Sequence, residues 1–231
     1  MKKNALITGA NRGVGLALVK AYLSAGWRVY ACCRHTVDAA ELQQLQANNT
    51  ALTLHQLDVT DYQAVAALSQ EMTDVPLDLL INNAGYYGPK GYGFGNTDLD
   101  EWRKVLEINT IAPLKLAESF YPQLLAKQPG IIANLSSKVG SMTENTSGGG
   151  YIYRSSKAAL NSVAKSLSND LSPQGIISVA LHLGWVQTEM GGPNALITPD
   201  ASAAGLKQVL DQLTLEDSGS FIDFQGQQLP W

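Results

Sequence analysis

Tyr153 and Lys157 stand four residues apart at the start of YRSSKAALNSVAKSLSNDL. Leu160, Val163, Leu167 and Leu171 recur through that stretch at helical spacing, which predicts a helix and places the phenol and the ammonium one turn apart on a single face. A free tyrosine, with a pKa of about 10, is a feeble acid at neutral pH, but a fixed ammonium beside it stabilises the phenolate, lowers that value and makes the phenol a competent proton donor. The preceding TSGGG suits neither helix nor strand, so the helix must begin abruptly after a loop. Two solvated residues on a first helical turn would read the same way, and the rest of the chain has to decide.

The elements that would position this pair alternate regularly. Apolar runs fit buried strands at ALIT, WRVYACC, ALTLHQL, LDLLIN, GIIANLS, GIISVALHL and GSFIDF, most of them separated by segments long enough for a helix. This pattern predicts a Rossmann-type, doubly wound parallel sheet of about seven strands with helices on both faces, in one domain over residues 1–231. Ligands bind such sheets at the carboxyl ends of the strands. The glycine-rich segments YYGPKGYGFGN and TENTSGGG both follow predicted strands and so fall on that edge.

The first strand runs into TGANRGVGLALVKAYLSAG, with Gly9, Gly13 and Gly15 ahead of an amphipathic helix. Small residues there let the backbone approach a pyrophosphate, whose charge the helix start favours. Three glycines alone are also compatible with a tight turn, and the spacing G-x-x-x-G-x-G differs from the general dinucleotide fingerprint. The second strand ends YACCRHT, with Cys33 where an acid would read a free ribose hydroxyl and Arg34 next to it. Arg12, inside the glycine turn, could reach the same group, and two guanidinium forks suit a 2′-phosphate. NADPH is expected over NADH.

Composition narrows the partners. The 231 residues are 45% hydrophobic and 16% charged with a formal net charge of −4, and no Lys/Arg block marks a nucleic-acid or membrane surface. A small-molecule ligand is expected instead. Cys32 and Cys33 are adjacent in a predicted strand, where their side chains point to opposite faces, so a disulfide between them is implausible. MKKNALITGA leaves no room for a signal-peptide core, and a cytoplasmic protein is expected.

TGANRGVG, LDVTD, NNAG, IIANLSS, YRSSK and GWVQTEM, in that order, resemble the classical short-chain dehydrogenases/reductases over essentially the whole chain. NTSGGGYIYRSSKAALN, GGPNA and LTLEDSGSFIDFQGQQLPW resemble the branch of that family holding Sniffer-type carbonyl reductases and C-factor signalling proteins. The resemblance implies reduction of an aldehyde, ketone or quinone to an alcohol, with Tyr153 as general acid. Ser137 would hold the substrate oxygen, Lys157 would also hold the nicotinamide ribose, and Asn109 of EINT would relay protons to Lys157 through a water. It further implies a cofactor site of Gly9, Asn11, Arg12, Gly13, Val14 and Gly15, with Arg34, Asp58 and Val59 on the adenosine side. Asn83, Ala84 and Gly85 of NNAG would line the cofactor, and Val186 and Thr188 would meet the carboxamide. The chain departs from the family in having Leu183 before Gly184 where Pro is usual, which predicts a less rigid loop. A dinucleotide-binding signalling protein is the alternative function.

Rival readings stand beside these assignments. Ser136 should point away from Ser137 and satisfy local groups. Tyr151 lacks a lysine four residues on, and His35, His55 and His182 are scattered, with no catalytic or metal role expected. Asn109 could instead satisfy backbone in a helix that Pro113 interrupts. Tyr86, Tyr87, Tyr92 and Phe94 could wall the substrate pocket or simply pack. A stripe of Ala158, Ser162, Lys165 and Asn169 on the predicted helix, with the resemblance, points to a homodimer paired through this helix and the long one around LDEWRKVLEINTIAPLKLAESFYPQLL.

Overall fold

A computed structural model describes residues 2–231. All seven apolar runs are strands: β1 (Asn4–Thr8), β2 (Arg28–Cys33), β3 (Leu52–Gln56), β4 (Leu79–Asn82), β5 (Gly130–Ser136), β6 (Ile176–His182) and β7 (Phe221–Asp223). They form one sheet in the order β3-β2-β1-β4-β5-β6-β7, and every pairing is parallel. Parallel neighbours need long crossovers, and helices α1 (Gly13–Ser24), α2 (Ala40–Asn48), α3 (Tyr62–Glu71), α4 (Leu99–Leu106), α5 (Ala112–Ser119), α6 (Tyr121–Leu125), α7 (Tyr151–Leu171) and α8 (Pro199–Gln212) supply the helical cover. The winding reverses between β1 and β4, the place where this architecture opens a crevice.

Alternation along the strands divides the interior into two cores. Ala5 and Ile7 of β1 pack with α1, α2 and α8, while Leu6 packs with α3, α5 and α6. Cys33 and Cys32 divide the same way, one in each core, and both are free thiols. Between the layers runs a buried polar ladder: Asn82 Nδ2 donates to Asn134 Oδ1 at 2.9 Å, and Asn134 Nδ2 to the Val179 carbonyl at 3.3 Å. It stitches β4, β5 and β6 together near the edge on which the site lies.

Two elements differ from the sequence expectation. The long helix expected around residues 99–125 is broken into α4, a π-helical turn at Glu107–Ile111, α5 and α6. Pro113 cannot supply the N–H that would bond the Asn109 carbonyl four residues back, and the Ala112 N–H reaches the Glu107 carbonyl five residues back instead. Helix α7 starts at Tyr151, two residues before the expected position, directly after Gly148, Gly149 and Gly150, whose φ angles of 64°, 67° and 58° only glycine adopts readily. Its apolar stripe lies as expected: Leu160 and Leu167 are buried, Val163 and Leu171 half-buried. Among the described residues no helix is long and apolar enough to cross a membrane.

Candidate active site

The end of β5 is locked onto the first turns of α7. Ser136 is buried and its hydroxyl donates to Asn161 Oδ1 at 2.6 Å, so it is a packing residue, as its strand parity predicts. Beyond it, Ser137 is half-buried with extended backbone, and the Val139 N–H makes a long 3.4 Å bond to its hydroxyl oxygen. A short 3-10 turn, Lys138–Gly140, then presses against α7 so closely that a Cβ on Gly140 would lie 2.8 Å from the Lys157 carbonyl carbon. Arg154 holds the far side of the loop, donating to the Val139 carbonyl at 3.3 Å and to Ser147 Oγ at 3.0 Å.

Lys157 is 5% exposed, and its ammonium donates to the Leu135 carbonyl at 2.8 Å. The same Nζ sits 5.7 Å from the centroid of the Tyr153 ring. Burial disfavours the charged form of each partner, so the Lys157 pKa falls to about 8 while that of Tyr153 rises, helped upward by the Tyr87 phenol beside it. The expected lowering of Tyr153 by Lys157 is therefore not found: desolvation outweighs an ammonium that is turned toward a backbone carbonyl.

Asn109, 1% exposed, occupies the π-turn and grips the residue after NNAG on both sides. Its Oδ1 accepts from the Tyr86 N–H at 2.8 Å, and its Nδ2 donates to the Tyr86 carbonyl at 2.8 Å and to Ser156 Oγ at 3.0 Å. A Cβ on Gly85 would lie 3.5 Å from Asn109 Oδ1 and 4.0 Å from Lys157 Nζ, so the two side chains bracket that glycine. The side chain satisfies backbone of the neighbouring loop rather than of its own helix.

Across the crevice, the glycine turn and the NNAG turn are fitted to each other. Thr8 Oγ1 accepts from the N–H groups of Asn83 and Ala84 at 3.1 and 3.0 Å, and Asn83 Nδ2 donates to the Thr8 and Gly9 carbonyls at 2.8 and 2.9 Å. Asn83 thus braces the turn with its side chain. A Cβ on Gly15 would lie 2.3 Å from the Gly9 carbonyl oxygen, and Gly9 holds φ at 62°, so neither position accepts a larger residue without displacing backbone. Val14, Val59 and Val186 bury their side chains in the two cores, leaving their backbone to meet a ligand. Asn11 and Arg12 are exposed at the mouth of the turn.

Arg34 is exposed beyond β2, near Asp58. Burial pushes the Asp58 carboxyl up, but bonds from the Thr60 N–H and hydroxyl, with the charges of Arg34 and His35, together hold it below its usual value. Arg12 has a partner that sequence reasoning missed, Glu189, with which it forms an exposed ion pair. Glu189 follows Thr188 directly in GWVQTEM, yet only the folded chain brings it to Arg12. A Cβ on Gly13 would lie 3.1 Å from Thr188 Cγ2, so the segment carrying Thr188 leans over the glycine turn. The loosening expected from Leu183 is countered: its carbonyl accepts from Ser202 Oγ at 2.6 Å, its side chain packs on the core, and the Gln187 N–H bonds the Ile197 carbonyl at 2.8 Å.

Comparison with known proteins places this geometry. Residues 3–196 match the family described as short chain dehydrogenase. The C-signal protein of Myxococcus xanthus is 43% identical over 156 residues, 68% of this chain and 93% of that protein. The structure of the carbonyl reductase Sniffer of D. melanogaster superposes with a TM-score of 0.95 at 35% identity, covering 100% of both chains. An NADPH-bound carbonyl reductase from chicken fatty liver superposes at 0.92 with 36% identity, covering 100% of this chain and 99% of that one. Matched by that family's model over residues 3–196 and superposing over its whole length on carbonyl reductases at 35–36% identity, the chain belongs to the short-chain dehydrogenase family.

Proposed function

We propose that the protein is an NADPH-dependent reductase that converts an aldehyde, ketone or quinone to an alcohol, acting as a single domain over residues 1–231 in the cytoplasm. The observation that carries this reading is the buried Lys157 ammonium, held at once to the Leu135 carbonyl and beneath the Tyr153 ring, beside Gly85. A binding protein has no chemical need for a desolvated ammonium against a phenol, and such perturbed pairs mark reaction sites.

The crevice fits a dinucleotide by its own geometry: Gly9 and Gly15 leave the backbone open at the start of α1, and added side chains there would strike backbone. Arg34, and Arg12 once released from Glu189, would hold a 2′-phosphate, with Asp58 on the adenine side and the Asn83–Gly85 and Val186–Thr188 backbones along the remainder. NADPH, when bound, supplies the hydride. Ser137 donates a hydrogen bond to the substrate oxygen and fixes it against Tyr153, whose hydroxyl gives its proton to that oxygen as negative charge develops there. The raised pKa keeps Tyr153 protonated at neutral pH, ready for reduction. Lys157 stabilises the phenolate left behind, and Asn109, whose carbonyl Pro113 deprives of its α-helical partner, would hold a water that returns a proton toward Lys157.

NADPH oxidation with a panel of aldehydes, ketones and quinones tests the reading. Tyr153→Phe should keep fold and NADPH affinity while turnover falls at least about 100-fold, the scale of a lost general acid. The similarity to C-signal supports a second reading, a dinucleotide-binding signalling protein, which gains if no carbonyl is turned over while NADPH still binds. We also read the exposed Ser162, Lys165 and Asn169 of α7 as part of a twofold contact surface. Light scattering that reports a monomer at micromolar concentration removes that part.

A further inference from the structure

The loop after β4 carries four aromatic side chains within nine residues, and the fold gives them different work. Tyr86 is scaffold: Asn109 grips its backbone, its hydroxyl donates to Glu101 Oε2 at 2.9 Å, and Lys104 Nζ lies 4.8 Å from its ring centroid. Phe94 is 94% exposed near the tip of the loop. Tyr87 alone reaches the proton donor, its ring centroid 4.7 Å from that of Tyr153 with the planes inclined at 34°.

This placement is enforced from both sides in the chain. Tyr86 before it is clamped by Asn109, and Gly88 after it sits so close to α4 and α7 that a Cβ would lie 3.1 Å from Val105 Cγ2 and 3.4 Å from Ile152 Cγ2. Yet Tyr87 remains 39% exposed, so much of its ring is left for something other than protein. Met142 and Trp185, both more than half exposed on the loops after β5 and β6, add apolar surface to the same edge of the sheet.

The 4.7 Å centroid distance leaves the Tyr87 ring next to the phenol that a substrate carbonyl oxygen would meet. We infer that Tyr87 is the specificity-determining residue of the site: it stacks on the flat substituent of a conjugated carbonyl and so selects planar, ring-conjugated substrates over saturated ones of equal size. A puckered ring fills similar volume but cannot lie face to face with an aromatic plane, and the difference is the stacking interaction itself. This inference rests on the reductase reading of the site.

Benzaldehyde and cyclohexanecarbaldehyde make a matched pair for the test, with NADPH as reductant. Their intrinsic reactivities differ, so the readout is the change in the ratio of kcat/KM between variants. Tyr87→Ala and Tyr87→Leu should each lower the benzaldehyde to cyclohexanecarbaldehyde ratio by about threefold to tenfold, the range of one aromatic contact. Tyr87→Phe should hold the ratio near that of the unmodified protein. A ratio unchanged in Tyr87→Leu, or lost equally in Tyr87→Phe, overturns the inference, the first by making Tyr87 mere packing and the second by assigning the effect to its hydroxyl. If Tyr87→Ala fails to fold, Tyr87→Leu and Tyr87→Phe decide alone. Absence of turnover in the unmodified protein for both aldehydes and for the ketones and quinones of the panel overturns the reductase reading and this inference together, while a fully active Tyr153→Phe removes Tyr153 as the proton donor and with it the pose this inference needs. An inactive Tyr153→Phe beside an unchanged ratio overturns this inference alone.

Discussion

The ammonium of Lys157 lies 5.7 Å from the centroid of the Tyr153 ring while bonded to the Leu135 carbonyl at 2.8 Å. Its burial sets the protonation behaviour of the whole site, because desolvation drives the two groups toward their neutral forms from opposite directions.

The pH profile should report Lys157. With its pKa lowered to about 8, kcat/KM for carbonyl reduction should hold near neutrality and fall as pH rises through that value, where the ammonium is lost. Tyr153, raised by burial, stays protonated throughout this range and adds no second step. A profile flat across pH 8 would show that the charge on Lys157 is not needed.

Stability should move the opposite way. Below about 8 the folded and unfolded chains both carry the charge, and its burial costs in full; between that value and the ordinary 10.5 only the unfolded chain is protonated, so stability rises with pH through this window. Lys157→Met should therefore stabilise the free protein at neutral pH, by roughly 1 to 3 kcal/mol after the lost bond to Leu135 is discounted, while abolishing turnover. Urea denaturation measures it, and a destabilised variant would contradict the assigned cost.

Cofactor choice should depend on the guanidinium groups. Arg34→Ala is expected to weaken NADPH binding by about 1 to 3 kcal/mol through loss of a charge-assisted contact and to leave NADH nearly unchanged. Glu189→Gln should tighten NADPH, since it removes the carboxylate that competes for Arg12. It should change stability by less than about 0.5 kcal/mol, the pair being exposed. Equal affinity of the unmodified protein for the two cofactors in titration defeats this account.

Asn109→Ala tests whether that residue is structural as well as a candidate relay. It leaves the Tyr86 N–H and carbonyl without their partner in a half-buried place, which should cost roughly 1 to 2 kcal/mol in a denaturant titration. Unchanged stability with lost turnover would reduce Asn109 to the relay alone.

Much of this protein was legible in its sequence because local chemistry dictates it. Seven apolar runs became the seven strands, since a buried parallel strand must be apolar along its length. Gly9 and Gly15 announced the close turn, and the four-residue spacing put Tyr153 and Lys157 on one helical face. The parity of a strand sent Ser136 inward and divided Cys32 from Cys33. Relationships between distant segments were a different matter. That Glu189 meets Arg12, that Asn109 grips Tyr86, and that Tyr87 rather than Tyr86 or Phe94 faces Tyr153 depend on crossovers that bring the ends of several strands together. The sign of the Tyr153 shift belongs here too. Spacing along a helix places an ammonium near a phenol, but how much water each keeps is decided by every element packed around them, and burial outweighs proximity.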